Sequence, residues 1–372
     1  MSNRKTTRRE ALTNGAALVA GAVAASCLPK VDGDWPPDGG QALCSWTEPR
    51  ITPATPTNGR VVEASNLDMV TLPPSVTIVP CQAEHTFKEM MLKLTGAVDM
   101  KAAWLSLFDY QPGQVVGIKV NTLNSKCPTH REVVKVLVDS LKAHVSGIQA
   151  NDILVWDRRL DELKKAGLTA DYLECRVEGT KDDTQTKGNG RGYELSPICL
   201  GSGQSHLTNI QTRAVDHLIN FAVLKNHLAS GFTGVLKNHY GTIDNPGMFH
   251  NKVDANTGKV LERRFEQAIP TINALDEVVT KSRLFLMDAS ISVIKGDTDS
   301  SPDWIPSTLM ASLDPVALDA HGRKRRDAWV VASGSPKPTE TISDGWLKAC
   351  ERVGLGSATP KVEKLDLSGN EC

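Results

Sequence analysis

Polar side chains that could bind a small anion, or carry a proton for it, follow several apolar segments of the sequence. Lys119 and Asn121 end one apolar run, Asp157 ends the next, and Asp288 follows the run at 284–287. Ammonium and amide groups donate hydrogen bonds to carboxylates and phosphates, whereas a carboxylate can accept a proton. This combination indicates an anion-binding site with a proton-transfer group.

A short segment of the same character occurs twice. Leu-Lys-Asn-His stands at 224–227 and again, twelve residues later, at 236–239. Thr233 precedes the second copy with a side chain typical of a helix N-cap, so we expect a short helix that carries Lys237 and Asn238. Together with the strand ends, this repeat leads us to assign anion binding to Lys119, Asn121, Lys225, Lys237 and Asn238.

Proton transfer and metal binding have their own candidates. His227, Asp157 and Asp288 are the residues to which we assign catalytic proton transfer, because each follows a predicted strand. Three histidines of the same region, His227, His239 and His250, are candidate metal ligands, although their spacing matches no standard ligand motif. The metal, if any, and the cofactor stay unidentified from the sequence.

Several of these polar residues also have structural interpretations. A lysine at a strand end is most often a solvated surface charge. Asp314 before Pro315 has the form of a helix N-cap with proline at the first helical position. Asp319 and His321 follow on the same helix, where a solvated face is expected, and the basic run 323–326 reads as a charged helix face rather than a nucleic-acid site.

Strands and helices alternate in the part of the chain that must position these residues. Apolar runs at 115–121 and 152–157 predict buried strands, each followed by a helical pattern. In the first helix Thr129 and Glu132 have the spacing of a capping box. This order predicts an α/β fold with a largely parallel sheet flanked by helices, in which ligands bind at the carboxyl ends of the strands.

The composition is that of a globular protein. Of 372 residues 40% are hydrophobic and 23% charged, and the net charge is −1, which excludes wholesale disorder and a multi-span membrane protein and disfavours nucleic acid as a partner. The eight cysteines include no C-x-x-C pair, so a cysteine-ligated iron–sulfur cluster is not predicted. Some cysteines are expected to pair, and Cys127 stands out because it follows a strand of the predicted site.

Residues 1–27 have the order of an export signal: a basic segment, an apolar segment and small residues before Cys27. Thr-Arg-Arg-Glu-Ala-Leu at 7–12 resembles the twin-arginine motif, and the residues before Cys27 resemble a lipoprotein processing site. We therefore expect a periplasmic or cell-envelope protein that is held at the membrane by a lipid on Cys27 alone. The alternative is a basic, alanine-rich N-terminal helix.

The rest of the chain is divided by composition. Eight of the twenty prolines fall in 28–75, which we interpret as a tether or surface arm. Residues 76–372 are predicted to form a single α/β domain, with the polar, glycine-rich segment 176–205 as a surface insertion.

Four segments resemble one known protein family, domain-of-unknown-function family 362, over about 76–326. They are Gly-Ile-Lys-Val-Asn at 117–121, Thr-His-Arg-Glu-Val-Val at 129–134, the segments at 225–227 and 233–241, and Ala-Ser-Leu-Asp-Pro-Val-Ala-Leu-Asp at 311–319. The resemblance implies the α/β fold and the polar cluster, and adds Asp314 and Asp319 as further site residues. Members of that family often carry an iron–sulfur module, which implies a link to redox chemistry. This chain departs from the pattern at Asn226, where threonine is usual, and by having no ferredoxin cysteine cluster.

Two functions follow from these expectations. The first is an exported, redox-linked enzyme that binds a carboxylate or phosphate in the Lys/Asn/His cleft and serves an exported redox partner. The second is a non-catalytic carrier that delivers a metal or cofactor to an exported enzyme. A structural envelope protein is the third alternative. The sequence does not predict the substrate or the oligomeric state.

Overall fold

The structure, a computed structural model, describes residues 44–51, 58–123, 125–181, 192–254, 260–336 and 342–369. The predicted signal segment 1–27, its Cys27 and the first part of the proline-rich arm lie outside these residues. Within the described ranges no helix is both long and apolar enough to cross a membrane.

The chain forms strands and helices in alternation. The strands in the described ranges are β1 (Arg60–Ser65), β2 (Val116–Lys119), β3 (Ile153–Arg159), β4 (Arg176–Lys181), β5 (Ile198–Cys199), β6 (Gln204–Ser205), β7 (His217–Val223), β8 (Lys225–His227), β9 (Gly231–Thr233), β10 (Lys252–Val253), β11 (Val260–Glu262), β12 (Ser282–Ala289), β13 (Thr308–Ser312) and β14 (Lys361–Asp366). The α-helices are α1 (Pro80–Thr95), α2 (Met100–Leu107), α3 (Arg131–His144), α4 (Leu160–Lys165), α5 (Ala170–Leu173), α6 (Val235–Asn238), α7 (Phe265–Asn273), α8 (Asp276–Val279), α9 (Pro315–Ala332) and α10 (Ile342–Arg352).

Eight strands form one mixed, mostly parallel sheet in the order β14-β1-β13-β12-β7-β2-β3-β4. Only β13 runs against its neighbours in this sheet. Helices cover both faces, and successive residues of β12 alternate between two cores: Leu284 and Leu286 face one, Phe285 and Met287 the other. Burial on both faces explains why these strands read as continuous apolar runs. The predicted α/β fold with a largely parallel sheet is confirmed.

The helices follow their sequence signals closely. α3 packs one apolar stripe against the sheet, formed by Val133, Val134, Leu137, Val138 and Leu141. This spacing places the five side chains on one face of the helix, and each fully buried aliphatic side chain stabilises the fold by roughly 1.5–3 kcal/mol. α3 begins after His130 without a side-chain cap. The predicted capping role of Thr129 is wrong, because its hydroxyl instead donates to Phe221 O and accepts from Asn121 N.

Two segments that we expected at the surface belong to the sheet. β1 lies inside the predicted 28–75 arm, yet it is the strand between β13 and β14 in the sheet. Its Val61, Val62 and Ala64 side chains are fully buried. Its partners come from more than 240 residues away in the sequence, so no local pattern indicates it. Arg176–Lys181, within the predicted insertion 176–205, is the edge strand β4. Part of the remainder forms the β5–β6 hairpin, and residues 182–191 lie outside the described residues.

The cysteines that the structure describes are divided between disulfides and buried thiols. Cys44 is bonded to Cys199, which ties the segment before β1 to the β5–β6 hairpin. Cys81 is also disulfide-bonded. Free buried thiols are found at Cys127, Cys175 and Cys350.

Candidate functional site

A cavity of about 110 Å³ lies at the carboxyl ends of β2, β3 and β7. The parallel register places Lys119 of β2 beside Trp156 of β3 and Asn220 of β7, so the residues that follow these strands meet at one edge. Eight of the candidate binding, proton-transfer and metal-ligating residues line the cavity: Lys119, Asn121, Asp157, Lys225, His227, Lys237, Asn238 and His250. The structure therefore brings together segments that are more than 100 residues apart in the chain.

Lys119 and Asp157 form a buried ion pair at the floor of the cavity, with 2.7 Å between Nζ and Oδ1. The same Oδ1 accepts from the backbone N–H of Arg158, and Oδ2 accepts from the N–H and the hydroxyl of Thr122. Four donors thus engage the four lone-pair sites of this carboxylate. Asp157 is therefore placed to hold the strand ends together rather than to exchange a proton.

The three protons of Lys119 are engaged in the same way. Nζ donates to Asp157, to the carbonyl oxygen of Val120 at 2.7 Å and to Asn238 Oδ1 at 3.3 Å. Asn238 in turn donates from Nδ2 to Lys119 O and to Asn220 Oδ1, at 3.2 and 2.8 Å. Lys119 and Asn238 form the frame of the cavity and have few donors left for a ligand.

Lys225 and Lys237 differ from Lys119 because neither forms an ion pair with a described carboxylate. Lys225 is fully buried, and its Nζ donates to the carbonyl oxygen of Cys127 at 3.0 Å. Lys237 is 6% exposed, and its Nζ lies over the rings of Tyr240 and Phe265, at 4.7 and 5.6 Å from their centres. No described residue accepts a hydrogen bond from the Lys237 ammonium group.

Burial lowers the pKa of both lysines. The pKa of Lys225 falls to about 8, chiefly through desolvation. Desolvation lowers the pKa of Lys237 to about 7, the charge of Lys225 adds to this effect, and Asp297 opposes it. The ring faces beside Lys237 favour its cation by about 0.5–2 kcal/mol, which is less than the several kcal/mol that burial of an unpaired charge costs.

The position of Lys237 depends on α6 and on Asp319. Asp319 is fully buried on α9, and its carboxylate accepts from the N–H groups of Val235 and Leu236 at 2.7 and 3.0 Å. Burial raises the pKa of Asp319 to about 7. The predicted capping role of Thr233 and the predicted solvated position of Asp319 are both wrong, because a carboxylate from a distant helix satisfies the first N–H groups of α6 instead.

Three polar atoms of cavity-lining residues are buried without a hydrogen-bond partner, namely Asn121 Oδ1, Arg158 Nε and Thr233 Oγ1. Asn121 donates from Nδ2 to Asn238 at 3.3 Å, and its Oδ1 is buried without a donor. Thr233 is paired with Lys225 in the β8–β9 hairpin, and its hydroxyl is also buried without a partner. Unsatisfied buried polar atoms are uncommon in folded proteins, and in a cavity they indicate a place for a polar ligand or water.

The three candidate metal ligands do not come together. His227 and His250 line the cavity with their rings 5.6 Å apart, but His239 is fully buried outside it and neither of its ring nitrogens has a partner. Burial lowers the pKa of His250 to about 3 and that of His227 well below its usual value. In the described part of the chain, no group of three or more His, Cys, Asp or Glu side chains is arranged to hold a metal.

No described cysteine lines the cavity, so its residues do not fit a cysteine-ligated iron–sulfur cluster.

Asp288 is placed away from the cavity, contrary to our assignment. It is fully buried, and its Oδ2 accepts from the backbone N–H of His130 and contacts His130 Nδ1 at 2.7 Å, while Oδ1 accepts from Ser290. Desolvation raises the pKa of this carboxyl, but the interactions with His130 and the hydrogen bond from Ser290 outweigh it, so the pKa is lowered. Asp288 thus anchors the loop before α3, a role that its position at a strand end does not reveal.

Several polar residues of α9 and its N-cap make contacts within the fold. Asp314 caps the helix by accepting from Ala317 N at 2.9 Å, and it also accepts from Ser357 N, as its position before Pro315 predicted. His321 is buried against Glu63 rather than solvated. Arg326, part of the basic run expected on a charged face, is buried and donates to Asn226 Oδ1 at 2.7 Å.

One residue of the site, Glu162, was missed from the sequence. Glu162, in the first turn of α4, lines the cavity, and burial together with the charge of Asp157 raises its pKa to about 7. The sequence feature that could have identified Glu162 is its position in the first turn of the helix that follows a predicted strand end. Gly241 also lines the cavity: a Cβ there would come within 2.7 Å of Lys119 Nζ and 2.8 Å of Asp157 Oδ1. Only glycine leaves room for the ion pair.

The chain is similar to a solved structure and to a known protein family. A solved structure, the crystal structure of a protein from Thermotoga maritima, is 10% identical with a TM-score of 0.35, and the match covers 69% of this chain and 60% of that one. The chain thus spans less than two thirds of that protein, and a likeness at this level carries no functional argument.

No curated protein matches the sequence. Residues 116–324, which include the whole cavity wall from Lys119 to Thr298, match the family described as domain of unknown function (DUF362). Since this match covers more than half of the sequence, the chain belongs to the DUF362 family.

Proposed function

We propose that the cavity binds a small organic anion, a carboxylate or a phosphate, and that the protein acts on it as an enzyme. The observation that carries this proposal is the pair Lys225 and Lys237: two buried amines that line one cavity, neither of them ion-paired with a described carboxylate. A buried ammonium group without a counter-charge is costly, and a bound anion removes much of that cost.

The remaining donors suit such a ligand. Lys225 uses one of its three protons on Cys127 O, and Lys237 uses none on a described residue. The unpaired hydroxyl of Thr233 adds a neutral donor beside Lys225. The volume of about 110 Å³ is smaller than the roughly 300–1,000 Å³ of pockets for drug-sized ligands, so the ligand has few heavy atoms.

Proton transfer falls to a different group from the ones we first assigned. A general acid or base works best when its pKa is near the working pH. Glu162, with a pKa of about 7, meets this condition, whereas His227 has a pKa well below its usual value and Asp157 has its lone pairs engaged. We therefore assign the proton-transfer role to Glu162. The redox link implied by the family resemblance stays a prediction.

Calorimetric titration of the ligand-free protein with inorganic phosphate and with pyruvate tests this proposal. We expect Lys225→Met to weaken binding by about tenfold or more, because it removes a charged hydrogen-bond donor, and Lys237→Met to weaken binding as well, because it removes a second donor from the cavity. Lys88→Met, at an exposed position of α1, is the matched control and should bind as the parent does. Absence of binding to either probe, or equal binding by all variants, would overturn the proposal.

We also propose that the protein is exported by the twin-arginine route and anchored by a lipid on Cys27. The Cys44–Cys199 disulfide supports an oxidising compartment, where such bonds persist. Fractionation of cells that express the chain tests this: replacement of both Arg8 and Arg9 by Lys should retain it in the cytoplasm, and Cys27→Ser should release it from the membrane fraction. Unchanged distribution of both variants would contradict export and anchoring.

A further inference from the structure

We propose that Lys237 is a nucleophilic amine that forms an imine with a small oxo acid, a carboxylic acid that also carries an aldehyde or ketone group. This inference rests on the proposed anion site and specifies its substrate class. It assigns different tasks to the two lysines: Lys225 holds the carboxylate, and Lys237 reacts with the carbonyl carbon.

Burial of Lys237 favours its neutral amine more than the neighbouring ring faces favour its cation. Its Nζ lies over two aromatic rings, those of Tyr240 and Phe265, and has no hydrogen-bond acceptor among the described residues. The Tyr240 hydroxyl is engaged with Phe249 O at 2.9 Å, so it does not compete for the amine. A lysine held in an apolar pocket beside a second cation is the arrangement that makes an amine nucleophilic near neutral pH.

Lys225 is the better cation of the two. Its ammonium keeps one hydrogen bond, to Cys127 O, and its pKa of about 8 lies above the value of about 7 for Lys237. The hydrogen bond to Cys127 O favours the charged form of Lys225, whereas no described acceptor favours the charged form of Lys237. A carboxylate bound to Lys225 would leave the rest of a small ligand in the space lined by Lys237, His227 and His250.

The reaction balances without a further reactant. The neutral Lys237 nitrogen adds to the carbonyl carbon, which gives a carbinolamine. The carbonyl oxygen then leaves as water with the two protons that the amine loses, and a carbon–nitrogen double bond remains. No oxidant or reductant takes part.

Reductive trapping tests the inference. The full chain is incubated with pyruvate or glyoxylate and sodium cyanoborohydride, and the adduct is measured by intact mass and located by peptide mapping. We expect one adduct per chain, on Lys237, and none in Lys237→Met or Lys237→Arg. Lys225→Met should need about tenfold or more oxo acid for half-labelling, since the charged donor to the carboxylate is lost.

Lactate, which has a hydroxyl in place of the carbonyl, separates this inference from the anion site itself. It should compete with pyruvate for labelling and bind in the calorimeter, yet give no adduct. Binding of lactate and pyruvate without any adduct on Lys237 would overturn the imine but leave the anion site standing, whereas absence of binding would overturn both. Labelling spread evenly over exposed lysines such as Lys88 would also overturn the imine.

Discussion

Lys119 and Asp157 form a buried ion pair across two neighbouring parallel strands, with Nζ 2.7 Å from Oδ1. Both were first assigned as functional groups, an anion ligand and a proton carrier. Their hydrogen bonds to Val120, Thr122 and Asn238 indicate instead that they join the ends of β2 and β3 to α6 beside the cavity.

Lys119→Met should therefore destabilise the fold. It leaves the Asp157 carboxylate buried without its counter-charge, which costs about 3–5 kcal/mol in free energy of unfolding. Urea denaturation measures this change. The double variant with Asp157→Asn should recover part of the loss, and strictly additive effects in this double-mutant cycle would contradict the coupling.

Asp319→Ala should loosen α6. Loss of the acceptor for the N–H groups of Val235 and Leu236 leaves two buried donors unsatisfied, at about 1–3 kcal/mol for each such group. Phosphate binding should weaken as well, because α6 carries Lys237. Asp319→Asn, which keeps one acceptor oxygen, is the matched variant and should fall between the parent and Asp319→Ala. An alanine variant with unchanged stability and unchanged affinity would argue against this role.

The stability of the ligand-free protein should rise with pH because of the two buried lysines. Their folded pKa values, about 8 and about 7, lie below the ordinary value of 10.5. Between pH 7 and about 10.5 the unfolded chain binds more protons than the folded one, so the contribution of these groups to the free energy of unfolding increases. Below pH 7 both states are protonated, and the folded state bears the full cost of burial.

The difference between Lys237→Met and the parent isolates this effect. Urea denaturation at a series of pH values should find the variant more stable than the parent near pH 6. The gap should narrow as the pH rises from about 7 to about 10.5, because over this range the folded lysine is neutral while the unfolded one still binds its proton. Lys88→Met should show a constant difference from the parent. A gap for Lys237→Met that does not change with pH would contradict an uncompensated buried charge.

Sequence patterns predicted the sheet and the meeting of its polar strand ends, because both follow from local regularities. Apolar runs located β2, β3 and β12 to within a few residues, and the parallel topology then brought Lys119 and Asp157 to one edge. β1 was missed, since its strand character depends on partners far away in the chain.

The errors within the site share one physical cause. Asp319 caps a helix 84 residues before it, and Asp288 binds His130, 158 residues before it. A carboxylate gives the same local signal whether a distant backbone, an imidazole or a ligand will neutralise it. A buried lysine such as Lys237 can be recognised only from the structure, because only the structure shows that no described carboxylate or hydrogen-bond acceptor lies beside it.

The lack of a side chain at Gly241 indicates which relatives of this protein can have the same ion pair in the cavity. Any larger residue at this position would displace the Lys119–Asp157 pair from its place. A relative with a bulkier residue there must arrange these charges differently, even if every lysine is retained. This glycine is thus a simple marker for separating members that share the whole cavity from members that share only the scaffold.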